Sequence, residues 1–227
     1  YLDEDKNRYR RPIVSNVYTQ PEDVFDRHLY EKGALILHTI RFILGNDGFQ
    51  KSIQHYVKTH AHTAVQTEDL IESIREATGK NLTRFFDQWI YNTGYPELKV
   101  NAYYDAKNKK ANVRVVQTTK IDDKSLFQFP VNVAITFPNQ KIQVERVEIT
   151  KREQRFSFPV KGEPYNIVFD PENVILKSLA MQKPRKMWVY QLTNDPHSVQ
   201  RIFAAQEIGK TPSADEWNTL QHALAHD

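Results

Sequence analysis

The 227-residue sequence contains no cysteine and only 7 glycines. Without cysteine there can be no disulfide, thiol nucleophile or cysteine-ligated zinc. Neither a Gly-x-Ser-x-Gly elbow nor a glycine-rich phosphate loop occurs. No motif therefore indicates a serine hydrolase or a nucleotide-dependent enzyme. Long apolar runs are also missing: the most apolar stretch, Gly33 to Gly45, contains His38 and Arg41. It is too short to span a bilayer, and no membrane segment is expected.

Neither sign of charge predominates, because 31 Lys and Arg residues are nearly balanced by 28 Asp and Glu residues. The net charge is +3. With 40% hydrophobic and 26% charged residues, the composition is typical of a folded globular chain. The charges are unevenly distributed: residues 1–97 carry −2, residues 98–186 carry +8 and residues 187–227 carry −3. The basic charges of the middle block fall on predicted turns and polar strand faces. No nucleic-acid partner is therefore expected.

Residues 1–97 are predicted to be helical after an irregular opening of about two dozen residues. Apolar side chains occupy nearly every side of the first predicted helix, which indicates a helix buried all round. Glycines or capping residues mark the helix ends. The predicted helices run from Tyr30 to Leu44, stopped by Gly45; from Phe49 to Thr59; from the N-cap Thr67 to Gly79; and from after Asn81 to near Gly94.

Beyond Pro96 the hydrophobic period changes to two, as in half-buried strands. Turn signals separate the alternating segments at the interval expected of an antiparallel sandwich. The predicted strands lie at 98–100, 112–115, 131–135, 142–149, 154–158 and 165–169. Helical patterns return at 188–192, 199–208 and 214–225, with breaks at Pro196 and Pro212. They resemble the first unit of a helical repeat.

These changes of pattern predict a multi-domain α+β chain. Residues 1–97 form a helical domain part, residues 98–183 a β-sandwich, and residues 184–227 the start of an α-helical repeat domain. The sequence begins without methionine and with a charged run, which leads us to expect an internal fragment of a longer protein. The oligomeric state and the compartment are left undetermined, with the cytoplasm slightly favoured.

The eight histidines are candidate metal ligands. His222 and His226 are four residues apart on a predicted helix, but Ala223 stands where a metalloprotease helix has its general-base Glu. His60 and His62 would point to opposite sides of an extended backbone. No metal site is expected at either pair.

A set of motifs in residues 11–96 resembles the zinc aminopeptidases of the aminopeptidase N and leukotriene-hydrolase family. The sharpest motif is Tyr30-Glu31-Lys32-Gly33-Ala34. The others match that family in order and spacing: Arg11-Pro12-Ile13, Pro21 to Asp26, His38, Leu44-Gly45, Phe49, Phe85-Phe86-x-x-Trp89 and Gly94-x-Pro96. The resemblance implies that residues 1–97 are the helical C-terminal part of a thermolysin-like catalytic domain.

The resemblance also implies a role for Tyr30. In that family the matching tyrosine donates a hydrogen bond to the oxyanion that forms when zinc-bound water attacks the scissile carbonyl. The alternative is that Tyr30 only caps a buried helix, with its hydroxyl bonded to backbone. Glu31, Lys32 and Gly33 are expected to be architectural, with Gly33 explained by close helix packing. Asp26 and His28 lie beside Tyr30, but their spacing assigns them no role.

The sequence departs from the family in one respect: it contains no His-Glu-x-x-His helix. The family's zinc ligands and substrate-amine anchors precede the tyrosine motif, so zinc is expected to be bound by the parent protein outside this chain, and the chain itself is expected to be inactive. The implied substrates are peptides with a free N-terminus. Two alternatives stay open: a zinc-less relative that acts as a protein-interaction scaffold, and an autonomous peptide-binding module.

Overall fold

The computed structural model describes residues 1–119 and 126–226. The chain divides into two compact units. The first, mainly helical unit comprises residues 1–96 with 126–129 and 174–178, and the second comprises residues 97–119, 130–173 and 179–226. The three-domain division at residues 97 and 183 stays a prediction.

The first unit contains four α-helices within its described residues. They are α1 (Leu2–Asn7), α2 (Glu31–Thr59), α3 (Thr67–Thr78) and α4 (Thr83–Trp89), with a short 3-10 helix at Pro21–Val24. Within α2, Gly45 has φ +75° and ψ 165°. This conformation is almost confined to glycine, so the break predicted at Gly45 is confirmed.

Three local predictions in this unit are wrong. The opening is not wholly irregular, because α1 forms there with acidic side chains in its first turn. Gln66, not Thr67, is the N-cap of α3, and its backbone N–H donates to Asp69 Oδ2 at 2.7 Å. Helix α4 ends at Trp89 rather than near Gly94.

The core of the first unit lies along one stripe of α2. Lys32, Ile36, Thr39 and Ile40 are buried, at the spacing of a single helix face. The prediction that this helix is buried on all sides is therefore wrong for this chain, since Leu37 is 38% exposed. Trp89 of α4 is fully buried, with its ring centroid 4.8 Å from that of Phe127.

The second unit contains two β-sheets in its described part. Their strand orders are β5-β2-β1-β7 and β4-β3-β6. The strands are β1 (Glu97–Asp105), β2 (Lys110–Gln117), β3 (Phe129–Thr136), β4 (Ile142–Ile149), β5 (Glu153–Pro159), β6 (Asn166–Phe169) and β7 (Ser178–Gln182). β2 pairs antiparallel with β1 and β5, and β3 with β6. All six predicted strands are confirmed in type, whereas β7 was not predicted because its five residues lack clear alternation.

Helices α5 (Arg185–Asn194), α6 (Ser198–Gly209) and α7 (Ala214–His226) confirm the helical tail. Buried amides join this tail to the strand region of the same unit: Gln191 Nε2 donates to Gln200 O at 2.7 Å, and Gln200 Nε2 donates to Asp170 O at 2.9 Å. Among the described helices, none has both the length and the apolar character needed to cross a membrane.

Candidate functional site

Tyr30 lies at the N-cap of α2, where the chain enters the helix. Its side chain is 61% exposed, and its ring centroid is 6.5 Å from that of Phe25. The side chain makes no capping hydrogen bond to the helix. Its backbone is held, because its N–H donates to Asp26 O at 3.0 Å and its C=O accepts from the Ala34 N–H at 2.9 Å. The phenol is thus presented to solvent from a fixed backbone position.

Asp26 organises the turn that leads into Tyr30. Its carboxylate Oδ1 accepts the backbone N–H of His28 at 2.9 Å and of Leu29 at 3.0 Å. Its carbonyl oxygen accepts the N–H of Leu29 and of Tyr30. Such a side chain satisfies backbone donors that would otherwise be unpaired at a helix start. The carboxylate and the backbone carbonyl of Asp26 therefore fix the backbone of residues 27–30.

Arg11 holds Asp26 from the opposite side. Its guanidinium donates to both carboxylate oxygens, with Nε 2.8 Å from Oδ2 and Nη2 close to Oδ1. The same group donates to three carbonyl oxygens, those of Pro12, Ile13 and Val24, at 2.8–3.0 Å. The Arg11 and Asp26 side chains are only 12% and 11% exposed. A bidentate, shielded pair of this kind is among the stronger polar contacts in proteins.

The Asp26 carboxyl is ionised at neutral pH. Partial burial opposes its ionisation, but hydrogen bonds from Arg11, from the Tyr9 hydroxyl at 2.6 Å and from the Leu29 N–H outweigh burial. Together they hold the pKa of Asp26 well below its usual range. Burial and the bond to Asp26 in turn raise the pKa of Tyr9. The Asp26 carboxylate therefore stays charged across the physiological range.

His28 is fully buried between two carboxylates. Its Nδ1 lies 3.4 Å from Asp26 Oδ2, and its Nε2 lies 3.4 Å from Asp5 Oδ1. Neither ring nitrogen has a hydrogen bond of normal geometry. Asp5 is itself buried and accepts from the Tyr1 hydroxyl at 2.8 Å and from Arg10 Nε at 2.7 Å. The turn that carries Tyr30 thus rests on a buried polar cluster.

Lys32, in the first turn of α2, extends the same cluster. It is fully buried, and its Nζ donates to Asn92 O at 3.2 Å. Burial lowers the pKa of Lys32 to about 8, although the Asp5 charge works against this shift. The architectural roles expected of Glu31 and Lys32 stay predictions.

Gly33 does not serve close helix packing. A Cβ built there would meet no atom within 4 Å, so that expectation is wrong. Gly33 instead lines an open cleft of about 710 Å³ in the first unit, walled by apolar side chains. These include Ile36, Leu37, Ile40, Leu70, Phe86 and Ile90. The hydrogen bond from the Tyr91 hydroxyl to Glu68 Oε1, at 2.6 Å, joins two of the residues that line it.

Glu4, Asp26 and His28 are the one group in residues 1–119 and 126–226 whose ligand atoms are close enough to share a metal ion, all within 4.8 Å. Their surroundings do not fit a divalent cation. Arg11 already binds both oxygens of Asp26, and Arg27 Nε lies 3.6 Å from Glu4 Oε2. A further positive charge beside these guanidinium groups would be repelled.

The histidines considered from the sequence lie elsewhere. His60 is the C-cap of α2, and His62 has a positive φ of 63°. His222 is on α7, and the side chain of His226 lies outside the described residues. Together with the absence of a His-Glu-x-x-His helix, the residues of this chain do not fit the catalytic zinc of the resembled family.

Comparison with known families gives a match over residues 1–89, to the peptidase family M1 domain. The matched residues include the Arg11–Asp26 pair, Tyr30 and all of α2 and α3. Residues 1–89 are therefore similar to an M1 peptidase domain. M1 peptidases are metalloaminopeptidases, and the resemblance stated from the motifs is confirmed.

Individual proteins are similar to this chain over longer or shorter stretches. The chain is 24% identical to aminopeptidase M1-A of Oryza sativa subsp. japonica over 213 residues, covering 90% of this chain and 22% of that protein. It is 37% identical to the tricorn protease-interacting factor F2 of Thermoplasma volcanium over 102 residues, covering 44% of this chain and 13% of that protein. It thus spans about a fifth or less of these two relatives.

A solved aminopeptidase structure shares the fold. The aminopeptidase A of Legionella pneumophila, in complex with aspartic acid, matches with a TM-score of 0.75 at 19% identity. The match covers 87% of this chain and 23% of that one. The mixed α+β fold is therefore confirmed, while the order of whole domains stays a prediction.

Sequence reasoning identified Tyr30 but not the groups beneath it. Arg11 and Asp26 both lie in motifs of the resemblance, but neither the spacing of Asp26 nor that of His28 indicates a role. The Arg11-Pro12 and Asp26 motifs are 15 residues apart, and only the fold brings them into contact. A charged Arg and Asp inside two matching motifs is the signal that could have pointed to the pair.

Proposed function

We propose that this chain forms part of a zinc-dependent aminopeptidase that removes N-terminal amino acids from peptides, and that the Tyr30 hydroxyl stabilises the tetrahedral oxyanion. One observation carries the proposal. Within the residues that match the M1 domain, Tyr30 presents an exposed phenol from the N-cap of α2, without a capping bond that would occupy it. The missing cap bond argues against the alternative in which the Tyr30 hydroxyl only caps the helix.

The chemistry of a phenol suits this role. A neutral hydroxyl donates a hydrogen bond to a developing negative charge without bringing an ion out of water. Comparable oxyanion donors contribute about 2.7–4 kcal/mol to transition-state stabilisation. Because the charge develops only in the transition state, the hydroxyl affects kcat more than substrate binding.

The metal must come from residues that this sequence lacks. Zinc, when bound in an M1 enzyme, supplies a Lewis acid and an activated water. The Glu4, Asp26 and His28 group does not replace those ligands, because guanidinium groups already hold it. The contribution proposed for this chain is therefore limited to Tyr30 and the turn that supports it, and the 227 residues alone are expected to be inactive.

The proposal is tested by assaying the complete natural polypeptide that contains this sequence on a set of aminoacyl-p-nitroanilides. Zinc content is measured on the same sample, and Tyr30→Phe is assayed in parallel. The matched control is Tyr103→Phe, which changes an exposed tyrosine on β1 of the second unit. We expect about one zinc per chain, turnover, and a large loss of kcat in Tyr30→Phe alone. A folded polypeptide with neither zinc nor turnover would support the scaffold alternative instead.

A further inference from the structure

We propose that Arg11 is a positioning residue for Tyr30 and acts through Asp26. This inference rests on the proposed function of Tyr30. It assigns a role to a side chain that touches neither the phenol nor any reacting atom. The supporting observation is that the Arg11 guanidinium donates to the Asp26 carboxylate while the Asp26 backbone carbonyl accepts the N–H of Tyr30, so that Asp26 links the two residues.

The first link, made by Arg11, connects two stretches of chain. Arg11 donates to carbonyl oxygens of Pro12 and Ile13 on one side and of Val24 on the other, and to both oxygens of Asp26. One planar group therefore fixes the distance between residues 11–13 and residues 24–26. Five N–H donors in a fixed fork are what this arrangement requires.

The second link runs from Asp26 to Tyr30. The Asp26 carboxylate holds the N–H groups of His28 and Leu29, and its carbonyl holds the N–H of Tyr30 at 3.0 Å. The Tyr30 side chain is 61% exposed and its ring has a tilted contact with Phe25, so we expect the direction of the phenol to depend on this backbone. A shift of Asp26 would be transmitted to the phenol.

The pair differs from ordinary surface ion pairs of the same chain. Arg75 and Glu72 on α3 also form a two-point contact, but their side chains are 56% and 48% exposed. Exposed pairs contribute little because water screens them. The Arg11 and Asp26 side chains are 12% and 11% exposed, and Tyr9 and His28 further enclose the carboxylate. Because the pair is shielded from water, we expect the position of Asp26 to depend on the planar, two-point contact with the Arg11 guanidinium.

Arg11→Lys separates geometry from charge. Lysine keeps the positive charge, but it cannot bind both carboxylate oxygens in the planar fork or reach all three carbonyl groups. The turn would then be less well fixed, and the Tyr30 hydroxyl would spend less time where the oxyanion forms. Misplacement of a catalytic group by about 1 Å can cost up to roughly 100-fold in rate.

The test is a double-mutant cycle in the complete natural polypeptide that contains this sequence. Arg11→Lys is made in the wild-type and in the Tyr30→Phe background, and kcat and KM are measured on an aminoacyl-p-nitroanilide. If Arg11 acts through the phenol, Arg11→Lys lowers kcat roughly 10- to 100-fold in the wild type, with little change in KM. In Tyr30→Phe the same substitution leaves kcat unchanged.

Each other outcome overturns a specific statement. An equal loss of kcat in both backgrounds would mean that Arg11 supports the fold and not Tyr30. No loss in the wild type would also overturn the inference, whereas full activity of Tyr30→Phe would overturn the proposed function itself. If Arg11→Lys does not fold, Asp26→Asn takes its place in both backgrounds, because asparagine keeps an oxygen for the backbone N–H groups while losing the charge. The same comparison then decides.

The matched control is Arg114→Lys in the same two backgrounds. Arg114 forms a two-point contact with Glu153 at 2.8 Å, but it lies on β2 of the second unit and is 46% exposed. We expect kcat to stay within about twofold in both backgrounds, as for other exposed pairs.

Discussion

The ammonium of Lys183 lies 4.3 Å from the centroid of the Trp188 ring. It also donates to Asn166 Oδ1 at 2.6 Å, to Ile167 O at 3.0 Å and to the side-chain oxygen of Gln191. These acceptors satisfy all three of its protons, but none of them carries a negative charge. Burial consequently lowers the pKa of Lys183 to about 7, although Asp195 works against the shift.

This lysine gives the second unit a specific pH dependence. Between about pH 7 and the usual lysine value of 10.5, the unfolded chain holds a proton that the native chain has lost. The free energy of unfolding therefore rises with pH across this window, and the cost of burying the charge is fully present below about pH 7. We expect the urea midpoint of wild type to rise more from pH 7 to 10 than that of Lys183→Met. The exposed Lys161→Met is the control, and equal pH slopes for all three proteins would refute the assignment.

Gly33→Ala is expected to stabilise the 227-residue chain. The added methyl would meet no atom within 4 Å, and the position is helical. Alanine is favoured over glycine inside a helix by roughly 0.5–1 kcal/mol. Urea unfolding should show a gain of about this size, and a loss would mean that the methyl meets a neighbour.

Gly45→Ala is expected to have the opposite effect, although its Cβ would also meet open space. The reason is the backbone: with φ +75° and ψ 165°, Gly45 occupies a region that other residues avoid at a cost of about 1–3 kcal/mol. The same urea titration measures it. A neutral result would show that α2 runs through this point without the break.

Thr39→Val tests the buried hydrogen bond that ties α2 to residue 174. The Thr39 hydroxyl lies 2.7 Å from Val174 O and is fully buried. Valine keeps the shape but removes the hydroxyl that donates to this buried carbonyl, and the loss of one such hydrogen bond costs about 0.5–1.5 kcal/mol. The control, Thr193→Val, removes an exposed hydroxyl bonded to the carbonyl of Val189 within α5, and should change the unfolding free energy by less than about 0.5 kcal/mol. Equal effects in the two variants would contradict the account.

The sequence predicted best where one local signal dominates. Alternation identified six strands, and Gly45 marked the break in α2, because both depend on residues close in sequence. The sequence predicted least well those features that depend on packing between segments far apart in the chain. The exposed face of α2 at Leu37 and the open space at Gly33 follow from which other segments contact the helix, and apolar content alone does not encode that.

The candidate site shows the same division. Tyr30 can be identified from the sequence because it lies in a contiguous motif. The residues that support it cannot, because Arg11 and Asp26 are 15 residues apart and Asp5 and His28 are 23 residues apart. These contacts form only once α1 and the turn before α2 are folded together, so no spacing rule for a single helix or strand would have found them.

The most direct test of the account is the kcat of Tyr30→Phe in the complete natural polypeptide that contains this sequence. The substitution removes one exposed hydroxyl and leaves the ring and the backbone bonds to Asp26 and Ala34 in place. We expect kcat to fall by roughly 100- to 1000-fold, the loss typical of a missing oxyanion donor, while KM changes little. A folded variant that retains full kcat would contradict this expectation.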